Sequence, residues 1–210
     1  MHIENWLKRF LNRIFQKPLH EDNIEIITNW RKKGKPVPPP HLIKQEAINN
    51  IKKVTNYNLF IETGTYLGEM VESQLENFRT IYSIELGELL FRNAQAKFEK
   101  YPHVEILHGD SGEVLIELCD SLNEPAIYWL DGHYSEGITA KGNKDCPIFE
   151  ELSAIFNAKF FEHVILIDDA RLFIGKDDYP TLTELTTYIS ENRPSSEILI
   201  QDDIIKVFIR

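Results

Sequence analysis

Two short stretches carry the densest chemistry in the chain: Ile127-Tyr-Trp-Leu-Asp131-Gly-His133-Tyr134 and Val164-Ile-Leu-Ile-Asp168-Asp169. Each is an apolar run that breaks into acid, the pattern of a buried strand whose last residue emerges where the sheet ends. If the two strands are neighbours, their ends lie about 4.8 Å apart and three carboxylates meet. Their mutual repulsion is costly unless a cation neutralises it, and hard oxygen ligands select Mg²⁺, Ca²⁺ or Mn²⁺ over zinc. The competing reading is that Asp168 or Asp169 caps the next segment or pairs with Arg171.

Earlier apolar runs also end in residues that can hold a ligand. The first closes on Glu62-Thr-Gly64-Thr65-Tyr-Leu-Gly68, where two glycines bracket a turn into a helix and let backbone approach a ligand closely. It lacks the middle glycine of GxGxxG, which argues against a dinucleotide pyrophosphate, and no Gly-Lys-Ser/Thr follows, so it is not a P-loop. The second run ends at Glu85, about 20 residues on, where an acid can accept hydrogen bonds from both hydroxyls of a ribose. The third ends His108-Gly-Asp110-Ser111, and an acid or hydroxyl there can accept from an adenine amino group or simply cap the next helix.

The elements that must position these residues follow from periodicity. After a helix over His41–Val54, apolar runs at Leu59–Glu62, Ile81–Glu85, Val104–Leu107, Ala126–Asp131 and Val164–Asp168 alternate with amphipathic stretches. Those stretches are Leu67–Asn77, Glu88–Lys100, Gly112–Leu122 and Ile148–Lys159, the crossovers that parallel strands require. A helix over Thr181–Glu191 leads to Glu197–Ile200 and Ile204–Ile209, joined by the turn-prone Asp202-Asp203, which predicts a hairpin and an antiparallel edge. The fold class is α/β with a doubly wound, mostly parallel sheet of seven strands.

The 210 residues carry 23 Lys and Arg against 33 Asp and Glu, a net charge of -10, so a general nucleic-acid binder is disfavoured. No stretch approaches the 18 or so apolar residues of a spanning helix. Cys119 and Cys146 form no CxxC, the first residues do not read as a secretory signal, and a reducing cytoplasm is the expected setting. Residues 1–35 run against the acidic balance, with a net charge of about +4. Within them Ile3, Trp6, Leu7, Phe10, Leu11, Ile14 and Phe15 share one helix face, and Pro18 ends that helix. Such a helix packs on its own domain or a sister subunit, grips a partner protein, or lies at an anionic membrane surface. Arg31–Pro40 reads as a proline-bound connector, so residues 1–37 form an appendage and 38–210 the main domain.

Taken together, the loop at Glu62–Gly68, the acid at Glu85, the Gly109-Asp110 pair and the final hairpin resemble the class I S-adenosylmethionine-dependent methyltransferases. The resemblance implies that Gly64 and Gly68 border the methionine part of the cofactor, Glu85 the ribose, and Asp110 with Ser111 the adenine. Glu62, Thr65 and Asp131 complete the cofactor-binding set. Leu-Asp131-Gly paired with Ile-Asp168-Asp169 resembles more narrowly the metal-dependent sugar O-methyltransferases of the macrocin type, which also begin this loop Glu-Thr-Gly. That likeness implies Mg²⁺, or another divalent cation, on Asp131, Asp168 and Asp169.

One position departs from that type. Two residues after the first metal acid, relatives carry an aspartate proposed as general base, and this chain carries His133. An imidazole with a pKa of about 6.5 accepts a proton at neutral pH, so His133 and Asp131 are the catalytic candidates, with orientation of an aspartate the alternative role for His133. No Asn-Pro-Pro-Tyr/Phe motif follows strand four, which favours an oxygen acceptor, plausibly a small hydroxylated molecule such as a sugar or glycan precursor. The polar stretch Ser135–Cys146 reads as a lid, with Lys141 and Lys144 available to an anionic group. Pro38–His41 with Lys44 is a further border of the pocket that no spacing secures. Metal-independent transfer and a non-catalytic or membrane-recruited binding module are the competing functions.

Overall fold

The computed structural model describes residues 21–132, 146–159 and 161–210. The predicted amphipathic helix before Pro18 lies outside the described residues. The first element is α1 (Glu21–Lys32), followed by α2 (His41–Thr55), β1 (Leu59–Thr63), α3 (Glu69–Gln74), β2 (Thr80–Glu85), α4 (Glu88–Phe98) and β3 (Val104–His108). Then come α5 (Ser111–Ser121), β4 (Ala126–Leu130), α6 (Ile148–Asn157), β5 (Val164–Ile167), a 3-10 turn (Ala170–Leu172), α7 (Leu182–Asn192), β6 (Glu197–Gln201) and β7 (Ile204–Phe208).

The seven strands form one sheet in the order β3-β2-β1-β4-β5-β7-β6. The first five run parallel, and β7 is antiparallel to both β5 and β6, as the sequence predicts. Every residue of β1, β4, β5 and β7 is buried, because helices cover both faces. Alternation then assigns neighbouring side chains to different cores. Ile61, Tyr128, Leu130, Ile165 and Ile167 pack with Leu115 of α5, Leu152 of α6 and Leu185 of α7. Phe60, Ile127, Trp129 and Leu166 pack with Ile48 of α2, Val71 of α3 and Ala94 of α4. Each such aliphatic side chain contributes about 1.5–3 kcal/mol by leaving water.

The helix caps fix where the loops turn. Asp110 caps α5 by accepting from the Gly112 amide at 3.0 Å. Thr181 and Glu184 form a reciprocal capping box on α7. In the closing hairpin both turn residues, Asp202 (φ 55°) and Asp203 (φ 65°), are left-handed, the backbone that matches the twist of flanking strands.

The connector differs from its sequence reading at its start. Arg31 and Lys32 end α1 instead of opening an extended segment. Ile27 and Trp30 are buried against Ile43 of α2, and the Trp30 indole donates to the Pro36 carbonyl at 2.9 Å. That packing, together with Pro40 at the N-cap of α2, sets the position of the first turn of α2, which carries His41 and Lys44.

Candidate functional site

The ends of β1, β2, β3, β4 and β5 lie along one edge of the sheet. The loop after β1 is tied to its neighbours at several atoms. The Gly64 amide donates to the Ile84 carbonyl at 2.9 Å, and the Tyr66 amide donates to Glu85 Oε2 at 2.8 Å. The Gly87 amide holds the other oxygen, Oε1, also at 2.8 Å. Tyr66 adopts φ 49°, an uncommon conformation for a bulky residue. Glu85 is thereby fixed by backbone donors while each of its oxygens keeps a further lone pair.

Beneath the loop a chain of polar groups runs inward. The Ser83 hydroxyl donates to Glu62 and lies 2.6 Å from the Thr65 hydroxyl. Glu62 is 2 % exposed, and burial pushes its carboxyl up to about 8, against the Ser83 hydrogen bond, which lowers it. Gly64 sits at φ 81°, where a Cβ would collide with the Asp131 carbonyl oxygen and lie 2.9 Å from its carbon. Its close approach is therefore to the end of β4. A Cβ on Gly68 (φ 72°) would lie 2.6 Å from the Phe98 ring.

A second buried carboxyl joins three strand ends, and sequence reading missed it. Glu151 of α6 accepts from Ser111 Oγ at 2.6 Å, and a hydrogen bond from Thr63 also favours its ionised form. The same Thr63 hydroxyl accepts from the amides of Asp131 (3.2 Å) and Gly132 (3.1 Å). Glu151 is fully buried, and burial raises its pKa to about 7 in spite of those hydrogen bonds. Its Oε2 has no hydrogen-bond partner among the described residues. As an acid in the first turn of a helix, Glu151 reads in sequence as a mere complement to the helix dipole.

At the ends of β4 and β5, carboxylate oxygens of Asp131, Asp168 and Asp169 lie within 4.8 Å of one another, as the strand-end argument predicts. Asp168 is completely buried; its Oδ1 accepts from the Asp169 amide at 2.8 Å, and its Oδ2 accepts from Lys44 Nζ. Lys44 Nζ is also 3.6 Å from Asp169 Oδ1. Asp169, at φ 56°, pairs with Arg171 at 2.6 Å, and Arg171 pairs in turn with Asp203 in the β6–β7 turn. The anticipated Arg171 pairing and the anticipated cluster therefore both occur.

Loss of hydration holds Asp131 well above the ordinary carboxylate range, and the Asp168 charge adds to it. Burial lifts Asp168 to about 6, with Lys44 opposing. Burial, the largest single effect, lowers the Lys44 pKa, but Asp168, Asp131 and Asp169 together more than offset it, so the ammonium form is favoured. Three hard oxygen donors at this spacing fit a divalent cation in type and separation. The cluster's cationic partners among the described residues include a tethered ammonium. His41, one turn before Lys44, hydrogen-bonds Gln45 at 2.9 Å, and burial lowers its pKa. His133, Lys141, Lys144 and the predicted lid as far as residue 145 lie outside the described residues.

Comparison with solved structures decides what this scaffold is. The O-methyltransferase TomG from Streptomyces achromogenes, involved in tomaymycin synthesis and solved with SAM, aligns with 100% of this chain and 98% of its own (TM-score 0.58, 14% identity). The chain has the Rossmann-like methyltransferase fold. The SAH-bound methyltransferase PaMTH1 of Podospora anserina aligns over 99% of this chain and 96% of its own (TM-score 0.58, 16% identity). An O-methyltransferase from Bacillus cereus, solved with SAH, aligns over 99% and 100% (TM-score 0.58, 12% identity). No protein-family model matches the chain, and no curated protein does. In open α/β sheets ligands bind outside the carboxyl ends of the strands, and Glu62, Gly64, Glu85, Asp110, Asp131, Asp168 and Asp169 lie at or just beyond those ends. Among the described residues no helix is long and apolar enough to cross a membrane.

Proposed function

We propose that the chain is an S-adenosylmethionine-dependent O-methyltransferase acting on a small hydroxylated acceptor, with a sugar or glycan precursor the favoured class. The observation that carries the reading is Glu85: a carboxylate at the end of β2, held on both oxygens by the amides of Tyr66 and Gly87 at 2.8 Å, next to a glycine loop. Held this way, it can accept from two vicinal ribose hydroxyls without moving. The shared fold with SAM- and SAH-bound methyltransferases supports the same reading.

The remaining roles are those that the resemblance implies, and the geometry is compatible with them. Gly64 and Gly68 shape the loop along the methionine part of the cofactor, and Glu62 positions Thr65 through Ser83. Asp110 spends one oxygen on the Gly112 amide and offers the other to an adenine amino group, with Ser111 beside it. Asp131 sits between the loop and the acid cluster and belongs to both. Asp131, Asp168 and Asp169 would hold a divalent cation. When bound, the cofactor supplies an electrophilic methyl group, and the cation would lower the pKa of an acceptor hydroxyl. The chain's own part is to align the acceptor with the methyl group and to remove the hydroxyl proton, a role assigned to His133.

A second reading, methyl transfer without a metal, is favoured by the ammonium of Lys44 lying among the same aspartates. Methyl transfer from labelled cofactor to a panel of nucleotide-linked sugars, run with EDTA and again with Mg²⁺, tests both. Turnover that EDTA abolishes and Mg²⁺ restores supports the metal reading, and turnover that EDTA leaves unchanged supports the second.

A further inference from the structure

The acid cluster is charge-compensated from within. Asp168 is fully buried, and its Oδ2 is taken by Lys44 Nζ, which reaches in from the first turns of α2. Asp169 is also within 3.6 Å of that ammonium. Arg171 serves Asp169 as well, but it is shared with Asp203. His41 stands one turn before Lys44 on α2, with burial favouring its neutral form. Among the described residues, Lys44 is thus the cation held on the buried Asp168.

We infer that Lys44 is a tethered competitor for the divalent cation: the ammonium and the ion use the same carboxylate oxygens, so ion entry requires Lys44 to withdraw. The inference rests on the metal reading above. An ammonium is a compact charge on a flexible four-carbon stem, able to leave without any change in the backbone. The Lys44 side chain is already 15% exposed, so withdrawal into water is a short movement. Helix α2, with Ile43, Ala47, Ile48 and Ile51 buried, stays in place as it occurs. Lys44 therefore sets how much free ion is needed to load the site, and it keeps the buried Asp168 carboxylate paired when no ion is bound.

The test reads metal binding directly, through the free Mn²⁺ EPR signal during titration of the full chain. Lys44→Met keeps an unbranched side chain shorter by only the charged end atom, and it should bind Mn²⁺ roughly tenfold or more tightly than the wild type, since a like charge has been removed from the site. Equal, measurable affinities overturn the competition while leaving the metal site standing; absence of binding to either protein overturns both. Should Lys44→Met fail to fold, the wild type supplies a second readout: amine labelling followed by peptide mass spectrometry. Lys44 should be labelled faster when Mg²⁺ is added, and an unchanged rate at saturating Mg²⁺ contradicts the displacement.

Discussion

Ser111 Oγ donates to Glu151 Oε1 at 2.6 Å, joining the capped start of α5 to α6. The same carboxyl receives a hydrogen bond from Thr63, whose hydroxyl accepts from the amides of Asp131 and Gly132. One buried side chain thus holds the ends of β1 and β4 and the turn after β3 in register. A Cβ on Gly132 would lie 2.9 Å from Glu151 Oε1 and 3.1 Å from Thr63 Oγ1, so the backbone after β4 rests directly on this junction.

Burial raises the folded-state pKa of Glu151 to about 7 and of Glu62 to about 8. The unfolded chain releases both protons near pH 4.3. Folding therefore binds protons, and the stability tied to the neutral carboxyls is full below about pH 4 and lost as pH rises through 7 and 8. The melting temperature should fall between pH 5.5 and 8.5. Glu151→Gln, which keeps the shape without the ionisation, should flatten part of that slope, and an unaltered slope would assign the effect elsewhere.

Gly64 and Gly34 share φ 81°, but only Gly64 meets another atom within 4 Å if a Cβ is added. Gly34→Ala should cost about 1–2 kcal/mol, the left-handed backbone term alone. Gly64→Ala should cost about 3 kcal/mol or more, because its methyl group also strikes the Asp131 carbonyl. Denaturant midpoints compare the two; equal losses would mean that the loop and the end of β4 separate easily.

Asp168→Asn keeps the fully buried position filled and removes one of the charges facing Lys44. Methyl transfer should fall by about tenfold or more while affinity for S-adenosylhomocysteine is unchanged. Parallel loss of both, measured by turnover and calorimetry, would make the residue structural. Lys44→Ala should lower stability by about 3–5 kcal/mol, since it leaves a buried charge unpartnered. Urea unfolding reads that cost.

Much of this site is legible in the sequence for one physical reason. Strands buried on both faces appear as apolar runs, and the first acid after each run must lie at the edge of the sheet. Glu85, Asp110, Asp131 and Asp168 are found that way. Lys44 is not, because it meets Asp168 from 124 positions away and sits on a helix whose periodicity reports only its buried face. Glu151 is hidden for the same reason. The helix α1 was missed because Arg31-Lys-Lys-Gly-Lys-Pro looks like solvated connector, whereas Ile27 and Trp30, just before it, are packed against Ile43.

Glu85→Ala removes the acceptor on which the ribose assignment rests, and it also frees the Tyr66 amide. Cofactor affinity should fall by about 1.5–3 kcal/mol, roughly 10- to 150-fold. Calorimetric titration of the full chain with S-adenosylhomocysteine tests the central claim most directly. Saturable binding at one site, weakened in this way by Glu85→Ala and retained by Asp168→Asn, is the predicted result; a folded chain that takes up no S-adenosylhomocysteine, or takes it up equally well without Glu85, contradicts the account.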